Sequence, residues 1–276
     1  MSGVVAAWLP DGRLHLQHGP IDLVCLAEGP GAAAAFARGM RRFDGLLETL
    51  VAELPALRRV DSPVEGDVAR VMARAVAPFR PAFITPMAAV AGAVADAVLA
   101  AMAGPGLTRA AVNNGGDIAV FLTQGARFDT ALVVRGQQAG RISLVAGSGV
   151  GGIATSGWRG RSWSFGIADA VTVLARSAAM ADAAATMIAN AVDLPGHPSI
   201  GRTPARALQH DTDLGDRAVT TSVGPLSSAE IAAALDRGGA AAEQYRKRGL
   251  IHSAGLMLGD QSRVSGALPL SECLNA

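Results

Sequence analysis

Three oxygen-bearing side chains are spaced along a segment that is otherwise built from small and apolar residues. Asp182, Thr186 and Asn190 follow one another at intervals of four, so a helix would place them on a single face. A carboxylate followed one turn later by a hydroxyl offers the hard oxygen ligands that Mg²⁺ takes, and this ion usually bridges substrate phosphates. Polar groups on a buried helix also need partners within the protein. Local pairing, with Thr186 on the carbonyl of residue 182 and Asp182 on a loop N–H, is therefore an equal alternative.

Two short turns combine glycine with residues that could approach a phosphate or a ribose. The first turn consists of Asn114, Gly115, Gly116 and Asp117, and the second consists of Thr155, Ser156 and Gly157. In the first turn, adjacent glycines allow backbone N–H groups to form an anion-binding nest, but Asn-Gly is also a strong signal for an ordinary hairpin turn. In the second turn, the hydroxyls either contact a ligand or satisfy their own backbone.

A third glycine-rich segment, 147–152, matches the pattern GxGxxG after a strand-like run. A dinucleotide-binding fingerprint requires these glycines to open a helix whose first turn holds the pyrophosphate. The following residues are β-branched and interrupted by glycine, with no helical period. We therefore interpret 147–152 as a flexible turn.

The acidic segment 210–216 resembles a calcium loop only in part. A calcium loop has Glu at its twelfth position, where this chain has Ser222, and we therefore interpret the segment as a solvated loop.

The elements that position these residues follow from hydrophobic spacing and from glycine and proline. We expect two strands over 4–28, one on each side of a turn at Asp11-Gly12, and then a helix over 31–54. A proline-rich connection should follow, and then a helix that begins at Pro86 and stops at Gly104-Pro105. Short strands are expected between 107 and 175, and Ser177 is expected to cap the helix that carries Asp182. A polar segment over 193–225, helices near 227–237 and 239–248, and a closing hairpin complete the chain. Strands and paired helices without regular βαβ alternation predict an α+β fold in one domain over 1–276.

Composition excludes several classes of protein. Hydrophobic residues make up 50% of the 276 and charged residues 17%, so the chain is not a disordered tail. The net charge is +1 with scattered arginines, and no basic stripe predicts nucleic-acid binding. Cys25 and Cys273 form no CxxC pair, and neither a zinc site nor a disulfide framework is indicated.

Two segments bear on location and assembly. The first fifteen residues lack a basic region followed by a long apolar run, which predicts no secretory signal and a cytoplasmic protein. Residues 87–103 are alanine-rich and interrupted by Asp96, which favours a buried helix over a membrane span. The alanine-rich face packs either on its own chain or on a second copy, so a homodimer is a possibility.

Four segments together resemble a known family. They are PMAAVAGAVAD (86–96), VNNGGDI (112–118), GIATSG (152–157) and ADAAAT (181–186), and they occur in the order seen in ApbE-like proteins, the FAD:protein FMN transferases. Residues 164–175, 212–220 and 249–260 look closest to the cytoplasmic branch of that superfamily. The resemblance covers most of the chain.

The resemblance implies an ApbE-like fold of two T-fold-like halves, with antiparallel sheets and packed helices, that binds FAD with Mg²⁺ at its pyrophosphate. It also implies that Asp182, Thr186 and the backbone carbonyl of Ala88 hold the metal, and that the two glycine turns contact the nucleotide. The reaction implied is transfer of FMN to a threonine of an acceptor protein with release of AMP.

The chain departs from the transferases at two positions. Ala91-Gly92 stands where they carry a lysine-glycine pair, and RSWSFGIADA stands where they carry His-x-x-Asp-Pro. Three hypotheses follow: a Mg²⁺-dependent enzyme acting on the FAD diphosphate, a non-catalytic cofactor-binding module, and a protein of the same fold that takes a pterin-type cofactor.

Overall fold

The computed structural model describes residues 3–134 and 137–271 and combines helices with antiparallel strands, which confirms the predicted α+β class. The helices are α1 (Ala32–Phe43), α2 (Leu46–Ala52), α3 (Leu54–Leu57), α4 (Asp67–Val76), α5 (Val90–Met102), α6 (Ala178–Ala191), α7 (Ala205–Leu208) and α8 (Ser228–Lys247). The strands are β1 (Val5–Trp8), β2 (Leu14–His18), β3 (Ile21–Glu28), β4 (Arg109–Asn114), β5 (Asp117–Leu122), β6 (Arg127–Val134), β7 (Gln137–Val145), β8 (Gly152–Ser156), β9 (Ala170–Ala175), β10 (Ile200–Pro204), β11 (Ala218–Val223), β12 (Ser253–Leu258), β13 (Gln261–Ser265) and β14 (Leu270–Ser271).

Contacts group the chain into two compact units, each made of three segments. The first unit comprises Met1–Thr130, Ser143–Ala154 and Ala175–Asp182, and the second comprises Ala131–Ile142, Thr155–Leu174 and Ala183–Ala276. In the first unit the strands follow the order β1-β2-β3-β4-β5-β8, and in the second the orders are β9-β12-β13 and β10-β11. The expectation of one domain over 1–276 stays a prediction.

The core of the first unit rests on strand alternation. In β3, every second residue is buried, from Ile21 to Ala27, because alternate side chains of a strand point to opposite faces. Cys25 belongs to this buried set and is a free thiol, and burial raises its pKa to about 12. Cys273 lies outside the described residues.

Two expectations for the N-terminal third were wrong. The run expected as one strand after Asp11-Gly12 is divided into β2 and β3 at Gly19, which has a φ of 56°. The helix expected over 31–54 ends at Phe43 and restarts as α2, because Gly45 takes a φ of 74°, a left-handed conformation that a continuous helix cannot contain. The proline-rich connection also contains α4, which the prolines on either side of it obscured.

The C-terminal third differs in the opposite sense, because more of it is regular than expected. The polar segment 193–225 contains the paired strands β10 and β11. The two helices expected near 227–248 form a single helix, α8, which begins with a capping box between Ser227 and Glu230 and continues through Gly238-Gly239. Gly238 is retained in the helix because a Cβ there would lie 2.3 Å from a side-chain carbon of Val192.

Candidate functional site

The first turns of α5 and α6 lie in close contact within the first unit. A Cβ atom at Gly92 would lie 2.3 Å from the carbonyl oxygen of Ala178, and one at Gly152 would lie 2.1 Å from its amide nitrogen. Both distances are far below van der Waals contact, and the obstructing atoms belong to the backbone. The two glycines therefore allow β8 and the start of α5 to approach α6 without an intervening side chain.

Each of these two helices carries an aspartate that accepts N–H groups from the first turn of the other. Asp182 Oδ2 of α6 accepts from the Gly92 N–H of α5 at 3.0 Å. Asp96 of α5 accepts from the N–H groups of Ala178 at 3.0 Å and Ala179 at 2.9 Å. N–H groups in the first turn of a helix have no partner within the helix and carry partial positive charge, so carboxylates stabilise them.

Asp182 is nevertheless in an environment that disfavours its charge. Desolvation is the largest cause that raises the pKa of this carboxyl well above its ordinary value, and the nearby charge of Asp117 raises it further. Hydrogen bonds from Gly92 and Ala91 lower the pKa but do not outweigh the burial. Asp96 also raises the pKa of Asp182, and burial raises its own pKa despite its two backbone partners. Burial therefore disfavours the charge of both Asp182 and Asp96.

The first glycine turn lies beside the same turn of α5. Asn114 is buried and donates from Nδ2 to the carbonyl oxygen of Ala91 at 3.1 Å. Gly115 and Gly116 form the two-residue loop of the β4–β5 hairpin, with φ angles of 63° and 113°, so the structure contains the hairpin turn that the Asn-Gly pair predicts. The Gly116 N–H already donates to Asn113 Oδ1 at 2.8 Å, which removes one donor from an anion-binding nest.

The other sequence-predicted metal ligands lie at the ends of the same elements. Ala88 is half-buried in the 3-10 turn Pro86–Ala89 that precedes α5, and its N–H donates to the Thr85 carbonyl. On α6, Asp182, Thr186 and Asn190 are half-buried, whereas the residues from Ala183 to Ala185 are fully buried, so the polar face is the more open one. Ser177 Oγ accepts from the Met180 N–H, which confirms the predicted cap of α6.

Asn190 has a structural role within the second unit. Its Oδ1 accepts from the Ser164 hydroxyl at 3.1 Å and from the Phe165 N–H at 2.9 Å. Asn190 therefore holds the start of segment 164–175, and both acceptor positions of that oxygen are already used. Of the three polar residues on α6, Asp182 and Thr186 remain the candidates for a metal.

The second glycine turn is held in the second unit by its own set of contacts. The Thr155 hydroxyl pairs with the Thr172 hydroxyl at 2.8 Å. A Cβ at Gly157 would lie 2.6 Å from the carbonyl oxygen of Asp169, so this position requires glycine. Ser156 lies between these two anchored positions and is half-buried.

A buried carboxylate fixes the residues that follow this turn. Asp169 accepts from Arg159 Nε at 2.9 Å and from the Gly259 N–H at 2.8 Å. The Arg159 guanidinium stacks 4.3 Å above the centre of the Trp158 ring. These contacts explain the order of the turn without reference to a ligand.

Sequence reasoning missed Asp96 and Gly92 as members of the site. Asp96 was noted only as a polar interruption of an apolar segment, although a carboxylate in an alanine-rich helix must find buried partners. In the sequence, Gly92 is the second residue of the Ala91-Gly92 pair that stands where the transferases carry lysine-glycine. The segment 147–152 leads from β7 into β8 and opens no helix, as the residues that follow it predict.

The family of this chain follows from a match over most of its length. A family model described as "AbpE bacteria" matches residues 6–264. The chain belongs to this family. The membership confirms the resemblance to the ApbE-like superfamily that the four sequence segments predicted.

Several relatives share the name UPF0280 protein. A UPF0280 protein of Methanopyrus kandleri is 34% identical over 200 residues, which cover 71% of this chain and 77% of that protein. A UPF0280 protein of Methanothrix thermoacetophila is 43% identical over 117 residues, or 40% of this chain and 46% of the relative. The UPF0280 protein of Methanoregula boonei is 35% identical over 186 residues, or 62% and 74%.

Among solved structures, the apo form of Pseudomonas stutzeri flavinyl transferase ApbE is similar with a TM-score of 0.43 and 13% sequence identity, over 96% of this chain and 95% of that one. Within residues 3–134 and 137–271, no helix has both the length and the apolar character needed to cross a membrane. In the same residues, no three His, Cys, Asp or Glu side chains form a group that could hold a metal ion by themselves.

Proposed function

We propose that this protein binds a flavin nucleotide through a Mg²⁺ ion held at Asp182, with the ion shared between the protein and the diphosphate of the nucleotide. The observation that carries the proposal is the position of the Asp182 carboxylate, which is poorly solvated and lies near the charge of Asp117. Thr186, one turn further along α6, and the carbonyl of Ala88 would supply further oxygen atoms to a bound ion. Bound Mg²⁺ neutralises negative charge on the diphosphate.

A bound cation would compensate the repulsion between Asp182 and the neighbouring carboxylates. Two carboxylates in a poorly solvated place repel each other, and either a proton or a cation must compensate one of the charges. Asp182 uses Oδ2 to accept the Gly92 N–H. A carboxylate oxygen has more than one acceptor position, so this bond leaves room for a metal.

The small number of protein ligands favours Mg²⁺ over a structural metal. No closed group of three or more acidic, histidine or cysteine side chains occurs in the described part of the chain. Mg²⁺ keeps several waters and is commonly bound through one or two carboxylates together with substrate phosphates. A site with one or two aspartates is therefore complete only when a phosphate-bearing ligand is present.

The flavin part of the proposal rests on the family. The ApbE-like resemblance implies FAD, and the segments that carry it include Asn114, the two glycines of the first turn and Asp182. Asn114 holds the carbonyl of Ala91, and Asp182 holds the N–H of Gly92, so both residues fix the backbone at the position where the transferases carry lysine-glycine.

Titration with FAD tests the proposal. We expect binding in the micromolar range with Mg²⁺, at least about tenfold weaker binding with EDTA, and loss of the Mg²⁺ effect in Asp182→Asn, which keeps the shape and the acceptor for Gly92 but removes the charge. Asp236→Asn is the matched control, because Asp236 is an exposed aspartate on α8 that pairs with Arg263. If wild-type protein shows no binding at high micromolar FAD with Mg²⁺, or if Asp182→Asn binds as the wild type does, the proposal is wrong.

The same samples decide whether binding is followed by chemistry. Release of AMP from FAD would assign a phosphoryl-cleaving step to the site, and FMN covalently attached to an added acceptor protein would assign transfer. Binding without either product would assign the role of a cofactor-binding module.

A further inference from the structure

A cavity of about 640 Å³ lies in the first unit, away from the first turn of α5. It is lined by residues of α1, α4 and α5 and by Ser177, the cap of α6. Volumes of roughly 300–1,000 Å³ are typical of small-molecule sites. Neither the family motifs nor the proposed flavin site includes the residues on its α1 and α4 walls.

Arginines form one wall of this cavity. Arg70 and Arg74 lie four residues apart on α4, which places them on the same face of the helix, and Arg42 approaches from α1. Arg42 is neutralised by an ion pair with Asp67 at 2.8 Å. Arg70 donates to the carbonyl oxygen of Glu65, and it forms no ion pair with a carboxylate in the part of the chain that the structure describes. Arg74 is exposed and has no ion pair or hydrogen bond with any residue in the described ranges.

The opposite wall is apolar and consists of small side chains. Ala97, Ala100 and Ala101 of α5 lie on one face of that helix, and Val71 of α4 adjoins them. Alanine side chains end at Cβ, so they leave the space that longer side chains would fill. The cavity thus combines an apolar surface with two guanidinium groups that form no ion pair with a carboxylate of residues 3–134 and 137–271.

Two acidic residues also line the cavity, and each is already engaged. Asp67 binds Arg42 and accepts the N–H of Val68. Asp96 accepts the N–H groups of Ala178 and Ala179. Neither carboxylate is therefore placed to neutralise Arg70 or Arg74.

We infer that this cavity binds a small organic phosphate monoester, with the phosphate between Arg70 and Arg74 and the hydrocarbon body against the alanines of α5. A guanidinium forms two parallel hydrogen bonds with a phosphate and carries a permanent charge. Two such groups on adjacent turns match a dianion better than a monocarboxylate. The apolar wall contributes affinity that inorganic phosphate cannot obtain.

Calorimetric titration with phenyl phosphate in EDTA buffer tests this inference. Wild-type protein is expected to bind phenyl phosphate more tightly than inorganic phosphate and more tightly than benzoate. Arg70→Gln and Arg74→Gln should each weaken phenyl phosphate binding by about tenfold, because each removes a charge-assisted contact. Ala100→Leu fills the apolar side and should weaken phenyl phosphate but leave inorganic phosphate unchanged.

The controls separate this site from general charge effects and from the flavin site. Arg41→Gln removes an exposed arginine of α1 that does not line the cavity, and it should leave binding unchanged. Circular dichroism of each variant verifies its fold. The inference is overturned if phenyl phosphate does not bind at millimolar concentration, or if Arg41→Gln weakens it as much as Arg74→Gln. Loss of phenyl phosphate binding in Asp182→Asn would also overturn it, whereas failure of FAD to bind would leave it intact.

Discussion

At the residue scale, Asp182 experiences opposing effects on its charge. The N–H groups of Ala91 and Gly92 favour the carboxylate, while burial and the charge of Asp117 favour the protonated acid, and the net result is a pKa raised well above the ordinary value. A cation would reverse this balance without altering the backbone contacts. The free energy of unfolding should therefore depend on whether a metal is bound at Asp182.

The raised pKa gives a sign for the dependence of stability on pH. Because the folded chain holds this proton more tightly than the unfolded chain does, the stabilisation is complete below about pH 4 and is lost as the pH rises through the raised folded pKa. We expect Asp182→Asn to be more stable than wild type at pH 7 in EDTA, with a difference that shrinks towards pH 4. Urea unfolding at several pH values measures it.

Magnesium provides the second arm of that experiment. At pH 7, Mg²⁺ added together with FAD should raise the denaturation midpoint of the wild type above its value with FAD in EDTA, and it should leave that of Asp182→Asn unchanged, because a ligand that binds only the folded chain stabilises it. A midpoint that Mg²⁺ raises equally in both proteins would show that the ion binds elsewhere.

Part of this residue-scale picture follows from the sequence. Spacing placed Asp182 and Thr186 on one face of a buried helix, and the structure confirms both the helix and its Ser177 cap. The contacts in which an aspartate of each helix accepts N–H groups of the other could not be predicted, because they depend on which helix ends meet in space. The two partner groups of Asp182, the Gly92 N–H and the Asp117 charge, lie 90 and 65 residues away along the chain.

At the scale of elements, the close approach of α5 and α6 depends on glycine. Ala178 O would lie 2.3 Å from a Cβ at Gly92, and this oxygen belongs to the backbone of a helix that cannot yield without moving as a whole. Gly92 also supplies the N–H from which Asp182 accepts a hydrogen bond. Helix packing and the candidate metal site are therefore coupled at a single position.

Substitution of two helical glycines tests this coupling. Gly92→Ala should destabilise the protein by about 1–3 kcal/mol through overpacking, despite the better helix propensity of alanine, and should weaken Mg²⁺-dependent FAD binding. Gly239→Ala on α8 is the matched control, since nothing lies within 4 Å of its added Cβ, and it should stabilise the protein by about 0.5–1 kcal/mol. Chemical denaturation measures both changes.

The outcome for Gly92→Ala that would contradict this account is stability equal to that of Gly239→Ala. Such a result would mean that α5 and α6 tolerate a wider separation, and Asp182 would then have another way to reach its partners.

Element prediction succeeded where local signals and packing agree. The strands β4 and β5 and their glycine turn were expected from alternation and from the Asn-Gly pair. Expectation failed at Gly45 and at Gly238-Gly239 for opposite reasons. Gly45 adopts a left-handed conformation and ends a helix, whereas Gly238 remains helical because Val192 packs against it. Sequence spacing does not distinguish a glycine that breaks a helix from one that allows close packing.

At the scale of the whole molecule, the family was visible in the sequence because its motifs recur in a fixed order over most of the chain. The "AbpE bacteria" match over residues 6–264 contains all of these segments. The arginine-lined cavity was not visible, because α1, α4 and α5 contribute to it from separate parts of the chain. Motif order therefore reveals shared ancestry, while a site assembled from several helices requires the fold.

The prediction of a single domain concerns the whole chain and calls for an unfolding experiment. Each compact unit is assembled from three segments, and the limits of the segments fall inside elements: between Asp182 and Ala183 in α6, and between Leu174 and Ala175 in β9. Neither unit is a continuous stretch that ends at a loop. We therefore expect one cooperative transition.

Differential scanning calorimetry measures this directly. For 276 residues the unfolding enthalpy should be about 190 kcal/mol near 60 °C, and the van't Hoff enthalpy should equal the calorimetric one if the chain unfolds in one step. Two resolved transitions, or a van't Hoff enthalpy near half the calorimetric value, would show that the two units unfold separately. Addition of FAD and Mg²⁺ would then identify the unit that holds the ligand, because only transitions of the unit that binds it move to higher temperature.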